Sequence, residues 1–556
     1  MTHLTPVARQ TRRPAIPFVV ASAVIALLGA APPAAAQTAA SRRPVAGGQT
    51  GEPVLPAPWK GPAPAAQASM AAIIADLEAF AQSEMAKQKV PGLAFAIVQN
   101  DQLVHAKGYG VKKLGGTAAV GAHTVFEVGS TTKAFTSALV GMLVDQGTLN
   151  WNDSVVDRLP KFAMYDPWVT REFRIDDLMA QRSGMPGYSL DPMSTLGWPR
   201  QAIADAVAFV EPVYSARSEY SYVNSLWLHA SFLVEKYGGL SWENAMARRI
   251  LGPLGMTEST VDPEVVPMLD DIATGHITLS SGTPWVIPAD WPYRGWLDTY
   301  GPAGSLRSNV VDMSKWARLH LGNGTFEGKQ LLASETVSRL HAARTTAGVL
   351  GPRTMSYAQG WLYDSRLSGP VVWHNGGTSG MHSIVCLYPS LNVALVVLTN
   401  TNGNTIPEAM DARLYGLLFP GTPAPTAAET AAAAAFARPA GPARIDRPSL
   451  VKANVGPEGV VPPLPLSRYA GSFSNPAYGT VTVREKSGSL ALAIGPRPVE
   501  MPAVHFSGNI FMISLPGMPE SDSPATFVVP SGGSATRLQL EWLSEVKGGW
   551  FERTGP

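Results

Sequence analysis

Val125-Phe126-Glu127-Val128-Gly129-Ser130-Thr131-Thr132-Lys133 is the stretch on which the reading of this chain turns. A strand-like apolar run, Val125 to Val128, meets a glycine, and Ser130 then opens an apolar segment that reads as a helix to about Gln146, ended by Gly147. Ser130 and Lys133 are three apart, so on a helix they share a face and the ammonium approaches the hydroxyl. A serine in the first turn also lies at the positive end of the helix dipole, which favours developing negative charge. For such a pair to act in nucleophilic catalysis, the lysine must lose its proton through burial or serve as a fixed positive charge. Ser-x-x-Lys recurs at Ser449 to Lys452 and at Ser544 to Lys547. Only Ser130 follows a strand and opens an apolar helix, whereas Ser449 lies in Pro-rich sequence and Ser544 in the C-terminal tail.

Two further motifs follow in chain order. Tyr222-Val223-Asn224 offers a phenol that can shuttle the serine proton to a leaving group and an amide that can bind a substrate amide. Tyr220 competes with Tyr222 for the first role, and a tyrosine packed at a helix edge is the plain alternative. His374-Asn375-Gly376-Gly377 then reads as a strand whose paired glycines let backbone approach a ligand closely. The Gly377 N–H, with that of Ser130, can form an oxyanion hole. His320-Leu321-Gly322 also carries His-x-Gly, but it reads as a helix C-terminus stopped by glycine. Other catalytic plans lack their parts: there is no G-x-S-x-G elbow, no H-E-x-x-H and no phosphate-binding P-loop.

The three motifs, in this order, resemble the serine beta-lactamase and penicillin-binding superfamily. The similarity extends to Leu178-Met179-Ala180-Gln181-Arg182-Ser183-Gly184-Met185-Pro186, which looks like the family's helix-and-turn block, and to Gly301-Pro302-Ala303-Gly304-Ser305-Leu306. It covers roughly Ser69 to Pro420. The resemblance implies an α+β fold: a central antiparallel sheet with flanking helices, an inserted all-helical subdomain, and a site in the cleft between them. It also implies roles, with Ser130 as nucleophile, Lys133 and Tyr222 as proton-transfer partners, and the Ser130 and Gly377 N–H groups as oxyanion hole. Asn224 and the His374, Asn375 and Gly376 strand would hold substrate. One departure matters. Penicillin-recognising members carry Lys-Thr-Gly or Lys-Ser-Gly where this chain has His374-Asn375-Gly376, so the fixed charge for a penicillin carboxylate is missing. Histidine there resembles the class C-related branch of esterases, D-amino-acid peptidases and amide hydrolases.

The 556 residues exceed one ordinary domain. Residues 1–36 read as a signal peptide, with Arg9, Arg12 and Arg13 ahead of an apolar run and Ala34-Ala35-Ala36 before Gln37. The run is shorter than the ~20 residues of a spanning helix and contains Pro17. A Pro/Ala-rich leader follows at 37–67, then the hydrolase-like domain at 68–420, a linker at 421–466 and a small antiparallel β domain, sandwich or barrel, at 467–556. The single cysteine, Cys386, excludes an intramolecular disulfide. Net charge is +1 with no basic stripe, which argues against nucleic acid as a partner.

The expectation is therefore an exported, periplasmic serine hydrolase that needs no metal or other cofactor and acts on a small peptide or ester. Family members of this size and build include the hydrolase of linearised microcystin, which points to linear peptides with D- or modified residues. An esterase of short acyl chains, or a penicillin-binding protein acylated without efficient turnover, are the alternatives. The aromatic run from Trp285 to Tyr300 either lines the cleft or packs as an ordinary loop.

Overall fold

The computed structural model describes residues 69–350, 353–435, 460–497 and 499–555. The readings of 1–36 and 37–67, and most of the linker, lie outside these residues. Helix α1 (Met70–Gln88) buries Ile73, Leu77, Ala81 and Met85, a fourfold spacing that keeps one apolar stripe inward. The Ser69 hydroxyl caps it by accepting from the Ala72 N–H.

Strands β1 (Gly92–Gln99) and β2 (Gln102–Gly110) form a hairpin whose turn residues, Asn100 and Asp101, both take positive φ. Asn and Asp tolerate that conformation, and it matches the twist of the flanking strands. Six more strands complete the sheet: β3 (Thr345–Leu350), β4 (Arg353–Tyr357), β5 (Leu362–Asp364), β6 (Val371–Gly377), β7 (His382–Tyr388) and β8 (Val393–Thr399). Their order is β2-β1-β8-β7-β6-β5-β4-β3, antiparallel throughout. Strands β7 and β8 are buried at every residue, so helices cover both faces.

Helix α2 (Thr132–Asp145), which follows the nucleophile turn, is buried from Thr132 to Leu143 and lies in the middle of the molecule. The insertion between it and the next sheet strand is mostly short helices, among them α3 (Asp191–Thr195) and α4 (Leu226–Gly238), which packs on α2. Helix α5 (Val310–Leu321) crosses β1 and β8, and α6 (Ile406–Leu418) packs with α1 over β7 and β8. Helix α7 (Ala427–Ala435) packs on α6.

The C-terminal part is a closed antiparallel barrel of eight strands: β9 (Gly471–Asn475), β10 (Gly479–Lys486), β11 (Ser489–Ile494), β12 (Val499–Ser507), β13 (Ile510–Ile513), β14 (Ser523–Val528), β15 (Arg537–Leu540) and β16 (Trp550–Gly555). Closure joins β9 to β16 and removes both sheet edges. Tyr469, Phe473, Phe511 and Phe527 fill its interior in edge-on and tilted contacts, so it is a packed core and not an open cup. The barrel sits on the aromatic loop: Trp291 Nε1–H donates to the Gly517 carbonyl at 2.9 Å, and Tyr293 Oη–H to that of Pro516 at 2.9 Å.

Candidate active site

Ser130 sits in a single 3₁₀ turn, Gly129–Thr131, that runs directly into α2. The turn is tied down by its own threonines. Thr131 donates to the Val128 carbonyl, and Thr132 donates to that of Gly129 while accepting from the Leu306 N–H. Gly129 takes φ +54°, and a Cβ there would lie 2.8 Å from both the N and O of Gly377. A Cβ on Gly376 would lie 1.9 Å from the Val128 carbonyl and 2.8 Å from the Ser130 nitrogen. Only glycines permit β6 to press against the nucleophile turn in this way. The contact sets Gly376 against the Ser130 nitrogen and Gly129 against the Gly377 nitrogen, and Ser383 on β7 donates to the Val128 carbonyl at 2.7 Å.

Lys133 is fully buried one turn on. Its Nζ lies 2.9 Å from Ser130 Oγ and donates to the Ala303 carbonyl at 2.9 Å. Burial holds its pKa well below the usual lysine value, and the carboxylate of Asp191 opposes that shift. A neutral amine at this position can accept the hydroxyl proton of Ser130. The Nζ also stands 4.7 Å from the centre of the Tyr222 ring and 5.8 Å from that of Trp227.

Tyr222 is buried beside Ser130, and its hydroxyl makes no hydrogen bond of conventional geometry. Burial pushes its pKa well above 10, and the Ser130 side chain only partly offsets that. The phenol is therefore held in its protonated form at neutral pH. A protonated phenol at this position can donate a proton. Tyr220 packs instead against Tyr357, ring centres 5.9 Å apart, at an outer rim shared with Tyr188 and Tyr214.

Asn224 donates to Asp191 Oδ2 at 2.8 Å, and its own Oδ1 is buried without a partner among the described residues. The His374 strand behaves differently from its reading as a substrate contact. His374 Nδ1–H donates to the Asn375 carbonyl at 2.5 Å, and Nε2 accepts from Tyr357 Oη–H at 3.0 Å. Burial, with Lys133 nearby, holds its pKa down to about 3, so the ring is neutral with both nitrogens occupied. Asn375 points away from Ser130. Its Nδ2 donates to Glu408 Oε1 on α6 at 2.7 Å and to the Ala433 carbonyl on α7 at 3.0 Å. Gly376 supplies closeness rather than a contact. Of this motif, Gly377 is the residue that lines the cleft.

A cleft of about 690 Å³ is lined by Gly377, Trp291, Trp296, Tyr188 and Asp191, and by Trp542 of the barrel. Trp296 is held by Nε1–H donation to Ser379 at 2.9 Å. Sequence reasoning missed Asp191, Tyr357 and the Ala303 carbonyl. Asp191 stands in Leu190-Asp191-Pro192, which looks like an ordinary helix start. The Ala303 carbonyl belongs to the Gly301 to Leu306 stretch, whose residue types alone carry no sign of a contact to Lys133.

Comparison with known proteins agrees with this geometry. Residues 77–418 match the family described as Beta-lactamase, and 456–553 match a domain of unknown function (DUF3471). The chain is similar to an unguisins hydrolase of Aspergillus campestris, 26% identical over 82% of this chain and 86% of the relative. It is also similar to penicillin-binding protein 4 of Amycolatopsis lactamdurans, 30% identical over 56% of this chain and 81% of the relative. Among solved structures, the octameric penicillin-binding protein homologue from Pyrococcus abyssi shares the fold, with a TM-score of 0.53 at 19% identity over 84% of this chain and 98% of that one. SurE does likewise, with a TM-score of 0.54 at 19% identity over 88% and 100%. With the match spanning most of the chain and the Ser130, Lys133 and Gly377 geometry in its cleft, the protein belongs to the beta-lactamase family of serine hydrolases and penicillin-binding proteins.

Proposed function

We propose that the protein hydrolyses amide bonds in linear peptides, including peptides with D- or modified residues, through an acyl-enzyme on Ser130. The observation that carries this reading is the buried Lys133 Nζ at 2.9 Å from Ser130 Oγ, with the glycines of β6 packed against the turn that holds Ser130. Ser130 Oγ attacks the carbonyl carbon as its proton passes to the neutral Lys133 amine. The two N–H groups hold the oxyanion. When the C–N bond breaks, Tyr222 donates a proton to the departing amine and is reprotonated from Lys133. Water then attacks the ester, Lys133 takes its proton, and Ser130 leaves with a proton restored. The similarity to an unguisins hydrolase supports hydrolysis over mere acylation. Export through residues 1–36 belongs to the same reading.

The test is a substrate panel with the wild-type and Ser130→Ala proteins: aminoacyl nitroanilides of both hands, linear peptides with D-residues (linearised microcystin among them), a nitrophenyl ester and a chromogenic cephalosporin. Peptide or anilide turnover that falls at least about 1,000-fold in the variant is expected. Turnover of the ester alone would select an esterase. One equivalent of product without further turnover would select an acylated binding protein.

A further inference from the structure

Beside the cleft lies a second hollow, about 510 Å³ in volume. Four tyrosines line it, Tyr188, Tyr214, Tyr220 and Tyr222, together with Val213 and Ala435 of α7. Tyr188 and Ala435 also line the cleft, so the two spaces adjoin there. Gly377 lines the cleft, and Tyr222 lines the hollow. None of the described residues that line the hollow carries a charge, whereas the cleft has Asp191 and Glu520.

Backbone contacts fix this wall in place. The Gly184 carbonyl accepts from the Val213 N–H at 2.9 Å and from the Tyr214 N–H at 3.1 Å. Gly184 takes φ +84°, and a Cβ there would lie 2.3 Å from the Tyr214 carbonyl oxygen. The Tyr188 N–H donates to the Tyr222 carbonyl at 2.7 Å, and the two ring centres stand 5.4 Å apart. Tyr188 takes φ +59°, a backbone conformation that is costly for a bulky side chain. Val213 and Tyr214 are 58% and 51% exposed, so the wall leaves apolar surface open. A side chain that covers it gains the free energy of burial, and ring-on-ring contact adds to the gain for an aromatic one.

We propose that the hollow takes the side chain of the residue on the amine side of the scissile bond, and that Tyr188 and Tyr214 select an aromatic residue there. The inference rests on the peptide-hydrolase reading above and names a residue which that reading leaves open. In that reading the carbonyl oxygen lies at the Gly377 N–H, and the departing amine takes its proton from Tyr222. The acyl part of the substrate then belongs to the cleft, and the first residue of the amine part to the hollow. An acidic or basic side chain is disfavoured, because no opposite charge in the wall offsets its desolvation.

The experiment uses acetyl-Ala-Ala-X-Ala-amide peptides, with the second alanine L or D and X as Phe, Ala or Lys, on wild type, Tyr214→Ala, Tyr214→Phe and Tyr188→Asn. Asparagine tolerates the left-handed backbone at 188 while removing the ring. Chromatography measures release of X-Ala-amide, and thermal melts establish that each variant is folded. In wild type, kcat/KM is expected to be at least about tenfold higher for Phe than for Ala or Lys. Tyr214→Ala and Tyr188→Asn are expected to cut the Phe-to-Ala ratio at least about threefold, with the Ala peptide within about twofold of wild type, and Tyr214→Phe to keep the ratio. Equal rates for Phe and Ala in wild type, or an equal fall on all three peptides in Tyr214→Ala, overturns the proposal. A loss in Tyr214→Ala that instead follows the acyl-side residue, varied as Ala or Phe with X as Ala, assigns the hollow to the acyl part and overturns it as well. The substrate panel above judges the peptide-hydrolase reading independently. Should the wild type cleave none of these peptides, the hollow is decided by calorimetry on Ser130→Ala. Phe-Ala-amide is expected to bind at least about tenfold more tightly than Ala-Ala-amide, and to lose that advantage when Tyr214→Ala is added. Equal binding of the two, or no binding, overturns the proposal.

Discussion

At the residue scale the decisive quantity is the protonation of Lys133. Its amine is buried against Ser130 and the rings of Tyr222 and Trp227, and burial outweighs the opposing charge of Asp191. If the amine is the base, the acid limb of kcat/KM lies well below the ordinary lysine range. Asp191→Asn moves that limb lower still, because it removes the charge that raises the Lys133 pKa. Lys133→Arg keeps a positive charge that cannot be given up. It is expected to lose at least about 1,000-fold in acylation rate, measured by a fluorophosphonate or beta-lactam probe. Retained activity would make Lys133 a fixed charge instead. Asp191 also affects stability. Its carboxyl is raised to about 7 in the folded protein, against 3.8 unfolded, so the folded state holds the extra proton. That contribution is complete below about pH 4 and is lost as pH rises through 7. Asp191→Asn is therefore expected to raise the melting stability by about 2–4 kcal/mol above pH 7, with the gain vanishing near pH 4.

At the scale of elements, the glycines of β6 do the positioning. Gly376→Ala sets a methyl against the Val128 carbonyl, so β6 and the nucleophile turn must part. The expected result is loss of acylation together with about 1–3 kcal/mol of destabilisation by thermal unfolding. Asn375→Ala should separate the two effects. Its amide joins β6 to Glu408 and α7, away from Ser130. Leaving Glu408 short of a donor is expected to cost about 1–3 kcal/mol while kcat stays within about threefold. Where the element carried its own pattern, it was legible from sequence. Ser130 opens its helix where the apolar segment after Val128 places it, and α2 ends at Asp145, next to the expected Gln146. Strands β3 and β4 were not read, because Thr345–Tyr357 is interrupted by Gly348, Gly351 and Pro352 and lacks alternation. The strands that close the barrel, Gly471–Asn475 and Trp550–Gly555, are short and polar and are recognisable only by pairing with each other. At the site, motifs carried on one local stretch were readable. Asp191 was not, since its hydrogen-bond partner, Asn224, lies 33 residues on.

At the scale of the whole molecule, the barrel completes the cleft. Trp542 forms part of its wall, Met518 to Glu520 border its far end, and Glu520 accepts from the backbone and side chain of Ser280. The aromatic loop is thereby clamped between the two parts: Trp291 and Tyr293 hydrogen-bond to the barrel, while Trp296 reaches Ser379 beside Gly377. The nucleophile, lysine and oxyanion groups, by contrast, all come from residues before α6. The cleft wall draws on both parts of the chain, most of it from residues 188–435 and a smaller share, Met518 to Glu520 and Trp542, from the barrel. A paired substitution at the clamp, Trp291→Phe with Tyr293→Phe, removes both hydrogen bonds to the barrel and leaves the rings in place. The reaction with a small activated ester, which needs only Ser130, Lys133 and the oxyanion groups, is expected to keep its rate. For a peptide long enough to span from Gly377 to Trp542, KM is expected to rise about tenfold with kcat little changed, because a loosened wall binds ground state and transition state equally less well. A fall in kcat on both substrates would instead show that the barrel holds the nucleophile turn itself in place. The aromatic loop would then belong to the catalytic machinery rather than to the wall that selects its substrate.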